Sequence, residues 1–302
     1  MRIKDIGEIG VIDMIRKGVR LDRSVVKGIG DDAAVIRWTR DKYILFTCDM
    51  IIEDVHFKRA SASPFEIGWK AMARNISDIA AMGGVPKYAL ISAGLDPDMS
   101  VSYVRHIKRG ILSAAGRFGI NVVGGDTSKS SKLVIDISLI GEVEKDYLTL
   151  RSGARKGDVI LVTGAIGGSS KGRHLNFMPR LEEARHIVKN FKVNSMIDVS
   201  DGLLMDLSRV LRASYAGARI FKDSVPLSRD ADSFEKAVSE GEDFELLFTM
   251  SLQEARRFFI HGLGKMKTPV TLIGQITGKE KGFVLVTERG EKKLSGSGFL
   301  HF

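Results

Sequence analysis

Six groups of acidic residues recur along the chain at the borders of predicted elements, and most of them sit beside glycine. Asp31 and Asp32 follow Gly28-Ile-Gly30, and Asp49 closes the strand-like run YILFTCD. Asp78 lies late in a predicted helix, on the face opposite its apolar stripe, and Asp126 follows Gly124-Gly125 at a predicted strand end. Asp198 and Asp201 bracket the turn Asp-Val-Ser-Asp-Gly, and Glu242 and Asp243 follow Gly241 before another strand. Singly, each fits an ordinary turn, because aspartate bonds its own backbone and glycine accepts positive φ. Gathered at the ends of rigid elements, such carboxylates repel one another unless cations hold them together. Oxygen donors without a histidine or cysteine ligand pattern suit Mg²⁺ or Ca²⁺ rather than zinc. Mg²⁺ commonly shares its shell with substrate phosphates, and glycines beside the acids let phosphate approach backbone N–H groups. The joint expectation is Mg-nucleotide chemistry.

Several established nucleotide frames are missing. There is no GxxxxGK[ST] loop, the glycine-rich GAIGGSSKG at 164–172 has neither that spacing nor GxGxxG, and no protein-kinase motif set occurs. The single cysteine, Cys48, excludes an internal disulfide framework and a cysteine-based zinc or iron–sulfur site. No apolar run approaches a membrane span, and the start MRIKDIGEIG is not patterned as a secretory signal, so a cytoplasmic protein without membrane contact is expected. The net charge of +9 comes from dispersed basic residues with 7% aromatics and no nucleic-acid motif, which points to small phosphorylated ligands rather than nucleic acid.

At 302 residues the length suggests two domains. The polar, basic LTLRSGARKG at 148–157 marks the boundary, giving domains 1–148 and 149–302. In the first, residues 5–17 read as a helix, and Ala33–Arg37 and Tyr43–Thr47 as strands. Phe65, Trp69, Met72, Ile76 and Ile79 form one helical face that stops at Gly83-Gly84. A strand at Tyr88–Leu95, a helix carrying Val104 to Phe118, and short strands at Asn121–Val123 and Leu133–Gly141 follow. In the second, strands are expected at Val159–Thr163, Met196–Val199, Ala218–Phe221, Phe244–Thr249, Val270–Ile276 and Phe283–Thr287, with helices over 179–191, 201–213, 231–239 and 252–262. The pattern predicts an α+β fold of two mixed domains; a parallel doubly wound sheet is the competing architecture.

The segments GIGDDAAV (28–35), TCDMIIEDVHF (47–57), WKAMARNISDIAAMG (69–83), VGGDTS (123–128), LRSGARKGD (150–158), DVSDGL (198–203), GEDFELLFT (241–249) and GFLHF (298–302), in this order, resemble the thiamine-monophosphate kinase family. That family lies in the superfamily of aminoimidazole ribonucleotide synthetase. The resemblance implies that superfamily's two-domain fold and transfer of the ATP γ-phosphoryl group to thiamine monophosphate. It also implies several Mg²⁺ ions and a homodimer paired through its N-terminal domains, with nucleotide near the interface. Carried over by motif, Asp31, Thr47, Cys48, Asp49, Asp78, Asp126, Asp198 and Asp201 correspond to metal ligands. Lys108, Gly125, Asp126, Arg151 and Ser200 correspond to ATP contacts, and His56, Glu242 and Phe299 to substrate contacts. The chain departs from the family pattern at Cys48, where Thr or Ser is usual, at Lys108, where an aromatic is frequent, and at Leu300, where Asp is common. No catalytic side chain is implied, since the acceptor phosphate is largely deprotonated near neutral pH and direct in-line attack needs no general base. The dimer is expected to pair sheet edges at Ala33–Arg37 and Tyr43–Thr47. Other ATP-dependent synthetases of the superfamily, and a non-catalytic nucleotide or thiamine-phosphate sensor, are the alternatives. The chain has neither the N-terminal nor the C-terminal cysteine of the selenophosphate and hydrogenase-maturation branches, and retention of every acid speaks against a sensor.

Overall fold

One helix organises the molecule. In the computed structural model, which describes residues 2–294 and Gly298, α2 (Pro64–Ala81) runs between the two halves of the chain. Ser63 caps it in a reciprocal capping box with Glu66, Pro64 occupies its first turn, and Gly83 ends it at φ 71. Thirteen of its 18 residues are buried, so it has no solvent face. The sequence expectation that Asp78 lies opposite the apolar stripe holds as helix geometry, but the opposite side is covered as well, by the C-terminal half.

The first half contains α1 (Ile3–Gly18), β1 (Val25–Lys27), β2 (Ala34–Arg37), β3 (Lys42–Ile52), β4 (Val85–Leu95), α3 (Val101–Arg117), β5 (Asn121–Lys129) and β6 (Val134–Glu144). Gly7, at φ 64, breaks α1 into two pieces. The six strands form one sheet in the order β1-β2-β3-β6-β4-β5, antiparallel except for the β4–β5 pair that α3 connects. Glycines set the α2–α3 contact. A Cβ on Gly110 would lie 1.9 Å from the Phe65 carbonyl oxygen, and one on Gly68 would lie 2.0 Å from that of Ile107. Gly110→Ala is therefore expected to destabilise the fold by about 1–3 kcal/mol through overpacking. A thermal melt indistinguishable from the unsubstituted protein would contradict so close an approach.

The second half contains β7 (Val159–Thr163), α4 (Arg173–Asn176), α5 (Leu181–Asn190), β8 (Ser195–Asp198), α6 (Leu203–Ser214), β9 (Ala216–Phe221), α7 (Phe234–Ser239), β10 (Leu246–Met250), α8 (Leu252–His261), β11 (Val270–Gly278), β12 (Phe283–Thr287) and β13 (Gly290–Lys293). Its sheet runs β13-β12-β9-β11-β7-β10-β8 and is antiparallel except between β9 and β12. Both sheets are mixed, so the α+β expectation stands and the parallel doubly wound alternative does not. A single apolar cluster joins Met72 and Ile76 of α2 to Phe177, Met196, Phe244 and Leu246 of the second half. The Trp69 indole donates to the Phe177 carbonyl at 2.8 Å, and Phe177 stacks on Phe244 at 3.9 Å.

Several expectations need correction. β3 continues to Ile52 and β5 to Lys129, so Asp49 and Asp126 lie inside strands, not at their ends. Strands β1 and β13 and helix α4 were not anticipated; each has four residues or fewer, too few to show a period. β2 and β3 are interior strands, so their edges are already paired. What the sheet leaves open is its outer face. Phe46, Ile140 and Tyr88 are in register across three adjacent strands and exposed. Among the described residues no helix is long and apolar enough to cross a membrane.

Candidate active site

Asp32, from the turn before β2, Asp78, near the end of α2, and Asp198, at the end of β8, converge in the interior. One carboxylate oxygen of each lies within 4.8 Å of the other two. Each is tethered. The Thr47 hydroxyl donates to Asp78 at 2.6 Å, the Ser77 hydroxyl to Asp198 at 2.6 Å, and Arg151 to Asp32 through Nη2 at 2.6 Å and Nε at 3.1 Å. Burial pushes all three carboxyls above the ordinary aspartate range. Neighbouring carboxylates reinforce that rise, strongly for Asp78 and Asp198, while Arg151 opposes it at Asp32. Asp32 Oδ2 is buried without a hydrogen-bond partner. Three hard oxygen donors this close, one of them unsatisfied, fit a divalent cation of the Mg²⁺ or Ca²⁺ type.

Two further acids lie around this triad, each with an arginine. Asp49 takes Arg74 at 3.1 Å, and its backbone N–H donates to the Asn75 side-chain oxygen at 3.1 Å. Asp201 takes Arg209 at 2.5 Å, and Arg209 also holds the buried Asp206, whose carboxyl burial lifts to about 7. Asp31 is turned from the triad's acceptors toward Lys27, at 3.3 Å, and the Arg151 backbone N–H, at 3.0 Å.

Beside these groups lies a cavity of about 510 Å³, lined by His56, Arg74, Ser200, Asp201, Glu242 and Phe244 among others. One wall is a strained loop. Glu242 and Phe244 have φ of 66° and 51°, a conformation costly for residues with a Cβ. Backbone bonds from Glu242 N to the Ser200 carbonyl (2.7 Å) and from Phe244 N to that of Val199 (2.8 Å) hold them there. A Cβ at position 241 would lie 2.4 Å from the Ser200 oxygen, so Gly241 permits the loop to lie on the end of β8. A second, apolar groove of about 270 Å³ runs between α3 and the inner face of β4, β5 and β6, lined by Ile91, Ile107, Lys108, Thr127 and Ile135.

The structure brings most of the expected residues to this region but redistributes them. Thr47, Asp49, Asp78, Asp198, Asp201, Ser200, Arg151, His56 and Glu242 surround the triad and the large cavity, and Lys108 lines the apolar groove. The Cys48 side chain does not join the triad. Strand alternation turns it outward, where its thiol meets Asp136 at 3.1 Å. Asp126 is also apart: it pairs in register with Ser92, then Asp136, then Met50, the outward-facing row beside Cys48. Gly125 is its exposed neighbour, paired with Ile91. Phe299 and Leu300 lie outside the described residues. Sequence reasoning counted Asp32 among the gathered acids but carried Asp31, not Asp32, into the ligand set, whereas it is Asp32 that enters the triad; it overlooked Arg74, Arg209 and the buried Lys70.

A family model described as AIR synthase related protein, N-terminal domain, matches residues 30–143, and one described as AIR synthase related protein, C-terminal domain, matches residues 155–287. The chain is 38% identical over 294 residues to a thiamine-monophosphate kinase of Rhodopirellula baltica, covering 92% of each sequence. It is 35% identical to one of Aquifex aeolicus, covering 100% of both. Among solved structures it is similar to AaThiL complexed with AMPPCP and TMP, at a TM-score of 0.87 and 34% identity, over 100% of this chain and 99% of that one. Hydrogenase maturation protein HypE in complex with ATP shares the fold at a TM-score of 0.72 and 19% identity, covering 99% of this chain and 94% of that one.

Proposed function

This chain belongs to the AIR synthase related family, among its thiamine-monophosphate kinases, and from that premise we infer that it transfers the γ-phosphoryl group of ATP to thiamine monophosphate, yielding thiamine diphosphate and ADP. The observation that carries the reading on this chain is the buried meeting of Asp32, Asp78 and Asp198, drawn from both halves beside a substrate-sized cavity.

Both reactants are polyanions, and phosphoryl transfer asks a protein for alignment and charge neutralisation. Asp32, Asp78 and Asp198, with Thr47, Asp49 and Asp201 around them, are the residues that would hold Mg²⁺. When bound there, Mg²⁺ supplies the positive charge that lets the two phosphate groups approach. The chain's own residues align the reactants. Arg74 and Arg209 place fixed cations at the acidic rim, and Arg151 orients Asp32. We assign the large cavity, with His56 and Glu242, to thiamine monophosphate, and the apolar groove beside Lys108 and Thr127 to the nucleobase. Arg151, Ser200 and the Gly125-Asp126 segment are assigned to the nucleotide. The N-terminal half, 1–148, then supplies the nucleotide groove and most of the acids, and 149–302 completes the acceptor site. We place the reaction in the cytoplasm.

A homodimer fits the outer face of the first sheet. A second copy there would bury Phe46, Met50, Tyr88, Leu90 and Val123, large apolar side chains that are otherwise exposed, and would close over Asp126. Light scattering should give twice 33.2 kDa; a monomer with full activity would remove the interface from the site.

The function is tested by incubating the protein with ATP, Mg²⁺ and thiamine monophosphate and separating the products by chromatography. Thiamine diphosphate and ADP should appear in equal amounts. Thiamine monophosphate binding without ADP release would instead mark a sensor.

A further inference from the structure

Lys70 has no part in the reaction outlined above, yet its charge is fully enclosed beside the large cavity. It lies in the second turn of α2 with its side chain 0% exposed. Its ammonium group has three partners at one distance, 2.6 Å: Glu242 Oε1, the His56 backbone carbonyl, and His174 Nδ1. These come from three separate segments, namely the turn after β3, the loop before β10, and α4. His56 and Glu242, from different segments, both line the large cavity. His174 Nδ1 also lies 2.9 Å from Glu242 Oε2; this one nitrogen accepts from Lys70 or, when protonated, donates to Glu242, so the three side chains form a single tight cluster.

A lysine withdrawn from water this completely is costly unless every donor is used. Burial lowers the Lys70 amine to about 8, with Glu242 opposing the shift. Burial alone would raise Glu242, but His174 and Lys70 outweigh it and hold the carboxyl at about 2. Both members of the pair are therefore charged at neutral pH. The backbone at Glu242 is also in the left-handed region, which a glutamate does not hold without external restraint.

We propose that Lys70 is a positioning residue for the acceptor site: by binding Glu242, His174 and the His56 carbonyl together, it fixes two lining segments of the cavity relative to each other and so sets the affinity for thiamine monophosphate without touching it. The proposal rests on assigning this cavity to thiamine monophosphate. It separates from a general packing role because the apolar groove assigned to the nucleobase lies on α3 and the inner sheet face and shares no lining residue with the cavity, and because Ser200, the nucleotide contact assigned within the cavity lining, is not a partner of Lys70.

The test is calorimetric titration of the full chain, in Mg²⁺, with thiamine monophosphate and separately with AMPPCP. The proteins are the unsubstituted chain, Lys70→Met, Glu242→Met and the double variant. Lys70→Met leaves Glu242 short of a partner and is expected to weaken thiamine monophosphate binding at least about 10-fold, the scale of orphaning a buried charged group, while AMPPCP affinity changes less than about twofold. Replacing both members of a buried pair leaves no orphan charge, so the double variant folds even if Lys70→Met does not. Its loss should be within about threefold of the Glu242→Met loss, because two residues acting as one unit are non-additive. Unchanged thiamine monophosphate affinity in folded Lys70→Met would overturn the proposal. Equal losses for both ligands, or losses that add in the double variant, would do the same. If the unsubstituted chain binds AMPPCP but not thiamine monophosphate, the substrate assignment itself fails and takes the proposal with it.

Discussion

Asp78→Asn is expected to slow turnover by at least about 100-fold, the scale of losing one central electrostatic group, while making the Mg²⁺-free protein more heat-stable. The two effects have one cause. Asp78, Asp198 and Asp32 share a buried space with oxygens within 4.8 Å of one another, and an amide removes one of the charges that repel there. The sign with pH follows. The Asp78 and Asp198 carboxyls are raised well above 3.8, by burial first and by neighbouring carboxylates second. A raised carboxyl contributes stability that is fully present below the unfolded-state value and is lost as pH rises through the folded-state value. Without metal, the melting temperature should therefore fall as pH climbs from about 4 toward and past neutrality, and less steeply in Asp78→Asn. Mg²⁺ should restore stability at pH 8 more than at pH 5, because only ionised carboxylates are good ligands. Thermal melts at both pH values, with and without Mg²⁺, measure this. Near-normal turnover in Asp78→Asn at saturating Mg²⁺, or a Mg²⁺ stabilisation equal to that of the unsubstituted chain, would contradict it.

Arg151→Met should cost about 3–5 kcal/mol of stability, the usual cost of breaking a buried ion pair from one side. At roughly 2–4 °C per kcal/mol for a large domain, the melting temperature should drop by on the order of 10 °C. Arg151 makes two bonds to Asp32, whose side chain is 1% exposed, and its backbone N–H bonds Asp31. It thereby ties the linker between the halves to the turn that carries the first acid of the triad. Adding Asp32→Asn to Arg151→Met removes the orphaned charge and should recover part of the loss. A single variant within about 1 kcal/mol of the unsubstituted chain would show that the pair contributes no more than an exposed ion pair does.

The sequence revealed the helices and strands that carry a long apolar period, and it missed what depends on distant partners. The Trp69, Met72, Ile76 and Ile79 stripe, with Gly83-Gly84 beyond it, located α2 and its end, because a buried helical face repeats locally. That Lys70 and Ser77 on its other sides are buried too depends on β8, α4 and the loop before β10 packing against α2 from more than 90 residues away, and no local window contains that. The choice between Asp31 and Asp32 is of the same kind: the two are adjacent in one turn, and Arg151 decides which one faces inward. Cys48 is different. Leu45, Thr47 and Ile51 are the inward-facing residues of β3, so strict alternation already turns Cys48 outward, and that signal was in the sequence. The strand before Asp126 reads as ending at Val123 because Gly124 and Gly125 follow it, whereas in β5 they are glycines of a paired strand, and a Cβ at Gly125 would lie 1.7 Å from the Ile91 carbonyl oxygen.

Rapid-quench transfer of label from γ-labelled ATP tests the phosphoryl-transfer reaction most directly. With Mg²⁺ and thiamine monophosphate present, the label should pass in a single turnover to the terminal phosphate of thiamine diphosphate, and no label should stay on the protein after denaturation. With ATP and Mg²⁺ alone, no labelled protein should form. Stoichiometric label on the protein, or ADP and inorganic phosphate without labelled thiamine diphosphate, would contradict direct transfer at this site.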